Sequence, residues 1–276
     1  DLKHYNYSYI ILIIAVILLT GRCAKMGSIS GGPKDEDPPV VVFSKPVNYS
    51  TNFKGNRIEI TFDEFISLNN VNQALVVSPP LKEKPEIRLK GKTILVNIPG
   101  DLRDSTTYTF NFGNSIEDNN ERNVLNNFEF VFSTGSILDS LCIEGSVKSA
   151  FNLQSSEDPI IIMVYDKLED SIPMQEAPVY IGRSDKNGNF RISNLKADTF
   201  KIFGLKDLNF NYIYDLPNET IAFYDSLVYL FPEFLEPYVP DTITPDTLMH
   251  DSDSVNIKKG DSNKKLPSRK KKIRLP

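Results

Sequence analysis

Tryptophan is absent from the 276 residues, and cysteine and histidine occur only twice each, as Cys23, Cys142, His4 and His250. Both histidines fall outside the stretches that read as folded, so a histidine-based triad, relay or zinc site has no candidates. The lack of tryptophan weakens any sugar-stacking platform. Cationic excess is missing as well: the formal net charge is −5, which argues against a nucleic-acid partner over most of the chain. What is present is a hydrophobic share of 40% with 11% aromatics, enough for real cores. The length suits one to three domains, and small sandwiches of about 100 residues fit it well.

The N-terminus reads as an address. Lys3 and His4 precede an unbroken apolar run of eleven residues, from Tyr9 to Leu19. As a helix that run spans only about 16 Å, short of a membrane core of about 30 Å. A cationic start followed by such a run is the pattern of a secretory signal, here assigned to residues 1–22. Leu18-Leu19-Thr20-Gly21-Arg22-Cys23 then resembles a bacterial lipoprotein signal, which implies lipid on Cys23 and attachment to a membrane. Arg22 departs from that pattern, which has a small residue before the cysteine. The alternative is an uncleaved short anchor with an incidental cysteine. With Cys23 reserved for lipid, Cys142 in Leu141-Cys142-Ile143 reads as a small buried hydrophobe, and a disulfide framework is excluded.

Residues 23–38 are rich in glycine, serine, proline and charge, the composition of a flexible tether. About 15 residues of this kind reach about 50 Å when fully extended. In Bacteroidetes lipoproteins an acidic cluster right after the cysteine resembles a surface-export signal. Asp35-Glu36-Asp37 comes too late for that pattern, so the outer membrane is expected as the anchor site with either face of it open.

Residues 39–135 alternate apolar and polar side chains in short runs. Ile58, Ile60 and Phe62 form one such face, followed by Ile87 with Leu89 and by Ile94, Val96 and Ile98. Tyr108, Phe110 and Phe112, then Phe128, Phe130 and Phe132, repeat the pattern, with Thr109, Asn111 and Glu129 expected on the outer face. Lys90-Gly91-Lys92, Pro99-Gly100-Asp101 and Asp118-Asn119-Asn120 supply turns. This spacing predicts an all-β sandwich. Leu102-x-x-x-Thr106-x-Tyr108 resembles the tyrosine corner of immunoglobulin-like folds, which gives Tyr108 a structural role. The wider set of motifs is Gly31-Gly32-Pro33-Lys34-Asp35, Ile60-Thr61-Phe62-Asp63-Glu64-Phe65, Val77-Ser78-Pro79-Pro80, Tyr108-Thr109-Phe110-Asn111-Phe112-Gly113 and Phe132-Ser133-Thr134-Gly135. Together they resemble the Ig-like domain lipoproteins of Bacteroidetes, which carry a bacterial Ig-like domain of the S-layer type. The resemblance implies an envelope location and carries no established chemistry.

Asp63 with Glu64 and Glu117 with Asp118 are the acidic pairs to test as a glycosidase dyad. Such a dyad needs one carboxyl with a raised pKa in an apolar cleft. These pairs lie at strand ends or in polar loops and are expected to be solvated surface charge.

Residues 136–231 repeat the strand signal at 141–147, 160–165, 179–183, 190–192 and 200–205. Asp185-Lys186-Asn187-Gly188 predicts a hairpin between two of these strands. Gly145-x-Val147, Gly188-x-Phe190-x-Ile192-x-x-Leu195 and Phe200-x-Ile202 resemble the carboxypeptidase regulatory-like fold, a transthyretin-type sandwich that implies a spacer or interaction module. Family members often have Pro-Gly where this chain has Ala197-Asp198. The fold expected for the chain is therefore all-β, with two tandem small sandwiches after a signal peptide and tether.

Asp207-x-Asn209-x-Asn211-x-x-x-Asp215 carries the clearest ligand chemistry, since oxygens at alternate loop positions suit calcium. Glu219 would add a carboxylate. Tyr212 stands where such loops use glycine and Asn218 where they use an acid. The competing reading is an Asx-rich turn bonding its own backbone.

Residues 232–276 mix proline and Asp-Thr or Asp-Ser pairs with the basic cluster Arg269-Lys270-Lys271-Lys272, and read as a disordered or linker tail. Asp followed by Ser or Thr, then an apolar residue or Thr, recurs at Ser105, Ser140, Ser171, Ser226, Thr242, Thr247 and Ser254, where composition alone gives about one. The pattern resembles the O-glycosylation signal of exported Bacteroidetes proteins, with Thr242, Thr247 and Ser254 the most accessible. These features point to a non-enzymatic envelope protein presenting its sandwiches to a protein or glycan partner. A carbohydrate-binding or carbohydrate-processing lipoprotein is the alternative, which needs an exposed aromatic row such as Tyr212, Tyr214 and Tyr224.

Overall fold

The computed structural model describes residues 9, 11–14, 34–156, 158–232 and 272–274, the last three by backbone alone. Residues 1–36 and 37–276 separate as two compact units. In the first, residues 9 and 11–14 are helical. Among the described residues no helix is long and apolar enough to cross a membrane.

The regular secondary structure of the second unit is nearly all strand. Its first half contains β1 (Val41–Lys45), β2 (Arg57–Phe62), β3 (Ile66–Leu68), one helical turn (Val71–Ala74) and β4 (Val76–Ser78). It continues through β5 (Glu86–Lys90), β6 (Thr93–Asn97), β7 (Thr107–Asn111), β8 (Ile116–Asp118), β9 (Val124–Leu125) and β10 (Glu129–Ser133). Strands β1-β2-β6-β5 form one sheet, β10-β7-β4 a second and β3-β8-β9 a small third. The period-two pattern dictates the packing. In β2, Ile58, Ile60 and Phe62 are buried while Glu59 and Thr61 stay partly exposed. They meet Val77, Phe110, Phe130 and Phe132 from the facing sheet in one core, so the two sheets close as a sandwich. Phe132 lies at its centre, with ring centroids of Phe53, Tyr108 and Phe110 at 4.4, 5.7 and 5.9 Å. Truncating such a ring costs about 3–5 kcal/mol.

Tyr108 also forms the expected corner. Its hydroxyl accepts the Arg103 N–H at 2.9 Å, satisfying a loop donor at the edge of the core.

The second half comprises β11 (Leu141–Ser146), β12 (Ile161–Tyr165), a 3-10 turn (Ile172–Met174), β13 (Tyr180–Arg183), β14 (Asn189–Leu195), β15 (Asp198–Lys206), β16 (Thr220–Phe223), β17 (Val228–Leu230) and β18 (Lys272–Arg274). One sheet runs β14-β11-β18; the other runs β13-β12-β15-β16, with β17 pairing the start of β15. Ile143, Phe190 and Ile192 of the first sheet pack on Ile162, Val164, Phe200 and Ile202 of the second. Strand β12 is buried at every position because its far face has a cover of its own. There Ile161, Met163 and Tyr165 lie under Ile172, Tyr212, Tyr214 and Val76. An unbroken apolar run, in place of alternation, is the sequence form of a strand covered on both faces. Cys142 is buried in β11, as its strand context predicts.

Two expectations are corrected. Asn187-Gly188 does not close a hairpin, because β13 pairs with β12 and β14 pairs with β11. The turn instead carries the chain from one sheet to the other. Gly188 has φ 79°, its carbonyl accepts the Val147 N–H at 2.8 Å, and a Cβ there would sit 2.3 Å from the Val147 oxygen. Docking on the end of β11 therefore fixes the turn, which only glycine accommodates. Within the stretch read as a disordered or linker tail, the described residues 272–274 form β18, parallel to β11.

The second correction concerns Thr109, expected on an outer face but only 5% exposed. The cover is the second half of the unit. Asn194 Nδ2 donates to Thr109 Oγ1 at 2.8 Å, and the Ile181 N–H donates to Ser78 Oγ at 3.1 Å. The Asp139 N–H donates to Thr107 Oγ1 at 2.9 Å, and Val76 packs with Ile161 and Ile181. Strands β4 and β7 thus meet β13 and β14 across a polar and apolar seam.

Candidate functional site

The acidic pairs are structural. Asp118, expected at a solvated turn, is 1% exposed. Its Oδ1 accepts N–H groups of Asn120, Glu121 and Arg122, and its Oδ2 that of Asn123. Burial pushes this carboxyl up, but the four donors outweigh it and hold Asp118 below the usual carboxylate range. Glu117, also buried, pairs with Arg122 and accepts from Ser67 Oγ at 3.1 Å. Asp63 lies exposed, receiving the Val40 N–H at 2.9 Å, and Glu64 is its chain neighbour at the end of β2. Neither pair opens into an apolar cleft of the kind that raises a catalytic carboxyl.

Asp207, Asn209, Asn211 and Asp215 are brought together in the loop between β15 and β16. Asp207 Oδ1 and Oδ2 accept the N–H groups of Phe210 and Tyr212 at 2.6 and 2.9 Å. Asp215 receives the side-chain amides of Asn209 and Asn211 at 3.1 and 2.8 Å. Glu219, at 4% exposure, accepts from the N–H groups of Leu208, Asp215 and Leu216. Each carboxylate oxygen named here already has a donor from the loop itself, which is the geometry of the Asx-rich turn. Among the described residues no group of three or more His, Cys, Asp or Glu side chains is placed to hold a metal ion.

Tyr212, Tyr214 and Tyr224 do not make an exposed aromatic row. Tyr212 and Tyr214 pack against the cluster covering β12, whereas Tyr224 packs against the sandwich core. Ser105, Ser140, Ser171 and Ser226 are exposed. Cys23, Thr242, Thr247 and Ser254 lie outside the described residues.

Two clefts open where the halves meet. One, of about 730 Å³, is walled by Asn72, Gln73, Lys82 and Lys84 from the first half and by Arg183 and Phe210 from the second. The other, of about 630 Å³, is lined by Asn111, Glu129, Asp185, Lys186 and Arg191 and also by Arg183. Arg183, the last residue of β13, therefore borders both. Its Nε is buried and has no hydrogen-bond partner. Burial holds its pKa below the usual guanidinium value, opposed by Tyr212. Tyr212 responds in kind: burial pushes its phenol up, the Asp207 charge adds to that, and Arg183 works against it. Strand reading misses this residue, because a cation closing the apolar run Tyr180-Ile181-Gly182 looks like an ordinary solvated strand end.

Comparison with known families matches residues 35–134 to the bacterial Ig-like domain. Comparison with curated proteins finds no match. Among solved structures, the chain is similar to an L,D-transpeptidase from Mycobacterium smegmatis at 11% identity and a TM-score of 0.24, over 60% of this chain and 76% of that one. It is similar to the N-terminal part of the bacterial S-layer protein SbsC at 12% identity and 0.23, over 65% and 44% respectively. A third likeness, to BcpA, the major pilin subunit of Bacillus cereus, has 12% identity and a TM-score of 0.20 over 65% and 61%. At these scores the likenesses carry no functional weight.

Proposed function

We propose that this chain is a non-enzymatic protein of the bacterial cell envelope that presents two joined β-sandwiches to a protein partner. The observation that carries the reading is the seam. Hydrogen bonds from Asn194 to Thr109 and from Ile181 to Ser78, with Val76 between Ile161 and Ile181, join the halves and leave two clefts at their border. Interaction surfaces are commonly built in this way, from rigid elements that hold loops and concave edges in place. The acidic pairs that a hydrolase would need are instead spent on backbone donors and an arginine.

Within this reading the second sandwich is a carboxypeptidase regulatory-like spacer, and lipid on Cys23 anchors the chain to an outer membrane of the Bacteroidetes type. The tether assigned to residues 23–38 would link that anchor to the sandwiches; residues 23–33 of it lie outside the described residues. The acidic net charge of −5 suits a protein partner better than a nucleic acid.

A photo-crosslinking amino acid at Asn72, on the wall of the larger cleft, tests the reading in intact cells, with the exposed Arg57 of β2, outside the cleft lining, as control. A discrete adduct from position 72 that is missing from position 57 is the expected result. Equal or no adducts from the two positions would overturn it. Palmitate labelling tests the anchor: the label is expected on the parent and lost in Cys23→Ala, and equal labelling would refute lipid attachment there.

A further inference from the structure

The larger seam cleft holds more cation than the fold uses. Lys82, Lys84 and Arg183 line it against one acid, the exposed Glu83. Asp207 stands behind the loop wall with both carboxylate oxygens taken by N–H donors of Phe210 and Tyr212. Burial acts on the charge of Arg183, and Tyr212 partly offsets it. A half-buried guanidinium with an unbonded Nε is costly to maintain, because a polar group removed from water loses its hydration without replacement. Arginine is the side chain best matched to a carboxylate, which it grips through two parallel hydrogen bonds.

The remaining walls say what carries that carboxylate. Leu75, Val77, Leu81 and Ile87 give an apolar lining, and the exposed amides of Asn72 and Gln73 stand beside it as donors and acceptors. Such a mix suits an extended peptide, whose backbone needs both. A sugar would need a free aromatic face to stack on. Lys84 Nζ sits 5.3 Å above the Phe210 ring, and Tyr212 packs into the cluster over β12.

We propose that this cleft binds an acidic peptide segment of a partner protein, with Arg183 receiving its carboxylate and Lys82 and Lys84 drawing it in. The assignment rests on the reading of the chain as a presenter of its seam clefts, and it adds the chemistry of the partner. Arg183 is the anchor because it is half-buried, whereas the two lysines are exposed and their attraction is screened by salt.

The test is fluorescence anisotropy with a labelled hexaglutamate peptide and the 276-residue chain in detergent micelles, with hexaglutamine as the neutral probe. Binding of hexaglutamate alone is expected, with affinity falling by at least about tenfold in Arg183→Gln, the scale of one lost charged contact. Arg183→Lys restores part of it and Arg57→Gln changes nothing. Equal binding by the parent and Arg183→Gln overturns the proposal, as does tighter binding of trigalacturonate, which would make the ligand a glycan. If Arg183→Gln loses its cooperative melt, the exposed pair Lys82→Gln and Lys84→Gln takes its place: a several-fold loss supports the site, and an unchanged affinity overturns it. An adduct from position 72 in cells without hexaglutamate binding removes the carboxylate assignment alone, whereas loss of both removes the interaction reading too.

Discussion

The side-chain amide of Asn194 reaches across the seam to Thr109, donating a 2.8 Å hydrogen bond between two buried residues whose strands belong to different sandwiches. Asn194 holds φ 63°, a left-handed conformation that asparagine tolerates better than most residues. Asn194→Ala removes the bond and adds backbone strain, for a loss of about 2–4 kcal/mol. Asn194→Gly removes the bond without that strain and is expected to lose less. Urea unfolding of both variants checks this order, and a double-mutant cycle with Thr109→Val should give a coupling of about 1 kcal/mol. Additive losses would mean that the seam bond contributes nothing of its own.

Tyr108 offers a cleaner deletion. Its ring is 2% exposed in the first core and its hydroxyl caps the Arg103 N–H. Tyr108→Phe keeps the ring and leaves that donor without its partner, at a cost of about 1–2 kcal/mol. Tyr108→Leu also loses the stacking on Phe132 and should cost more. A Tyr108→Phe variant as stable as the parent would show that water replaces the phenol.

Asp118 makes stability depend on acid. Its folded pKa lies below the ordinary carboxylate value because four N–H donors outweigh burial. The stabilisation is therefore fully present above the unfolded value, near pH 4, and is lost as pH falls through the depressed folded value. Asp118→Asn removes the titrating charge and the acceptor for the Asn123 N–H. It should be less stable than the parent at neutral pH and show a flatter decline between about pH 5 and pH 2. Urea midpoints across that range decide it, and parallel declines would assign the acid sensitivity elsewhere.

Strands with strict alternation were legible from residue order alone, because one buried face demands period two. The faces of β2, β6, β7 and β10 follow from Ile58, Ile94, Phe110 and Phe130. Strand β4 was hidden: three residues, Val76-Val77-Ser78, are all buried because one side faces the first core and the other meets β13. Thr109 misled for the same reason, since its burial is imposed by a partner far along the chain. Asn187-Gly188 signals a tight reversal wherever it occurs, and local order does not say which sheet the next strand joins. Gly182 bears on that choice: a Cβ there would lie 2.5 Å from Ile192 Cγ1, so β13 and β14 cross too closely for a side chain. Of the site, the loop at Asp207 was legible as oxygen-rich, whereas the place of Arg183 between two clefts depends on how the halves meet and has no local sequence signal.

That loop gives the last measurement. Calcium takes six to eight oxygens, and here the oxygens of Asp207 and Asp215 are already committed to Phe210, Tyr212, Asn209 and Asn211. A cation would have to displace those donors, and the amides that leave would need new partners. With the loop satisfied by its own groups, adding calcium after chelation should leave the melting temperature unchanged. Asp207→Ala should lower stability by about 1–3 kcal/mol with or without the ion, because it frees two N–H donors beside Tyr212. A rise of several degrees on adding calcium, absent in Asp207→Ala, would instead make the loop a cation site. Measuring the parent and the variant in both conditions separates these cases, since a hydrogen-bonded turn loses the same stability in each, while a bound ion adds stability to the parent alone.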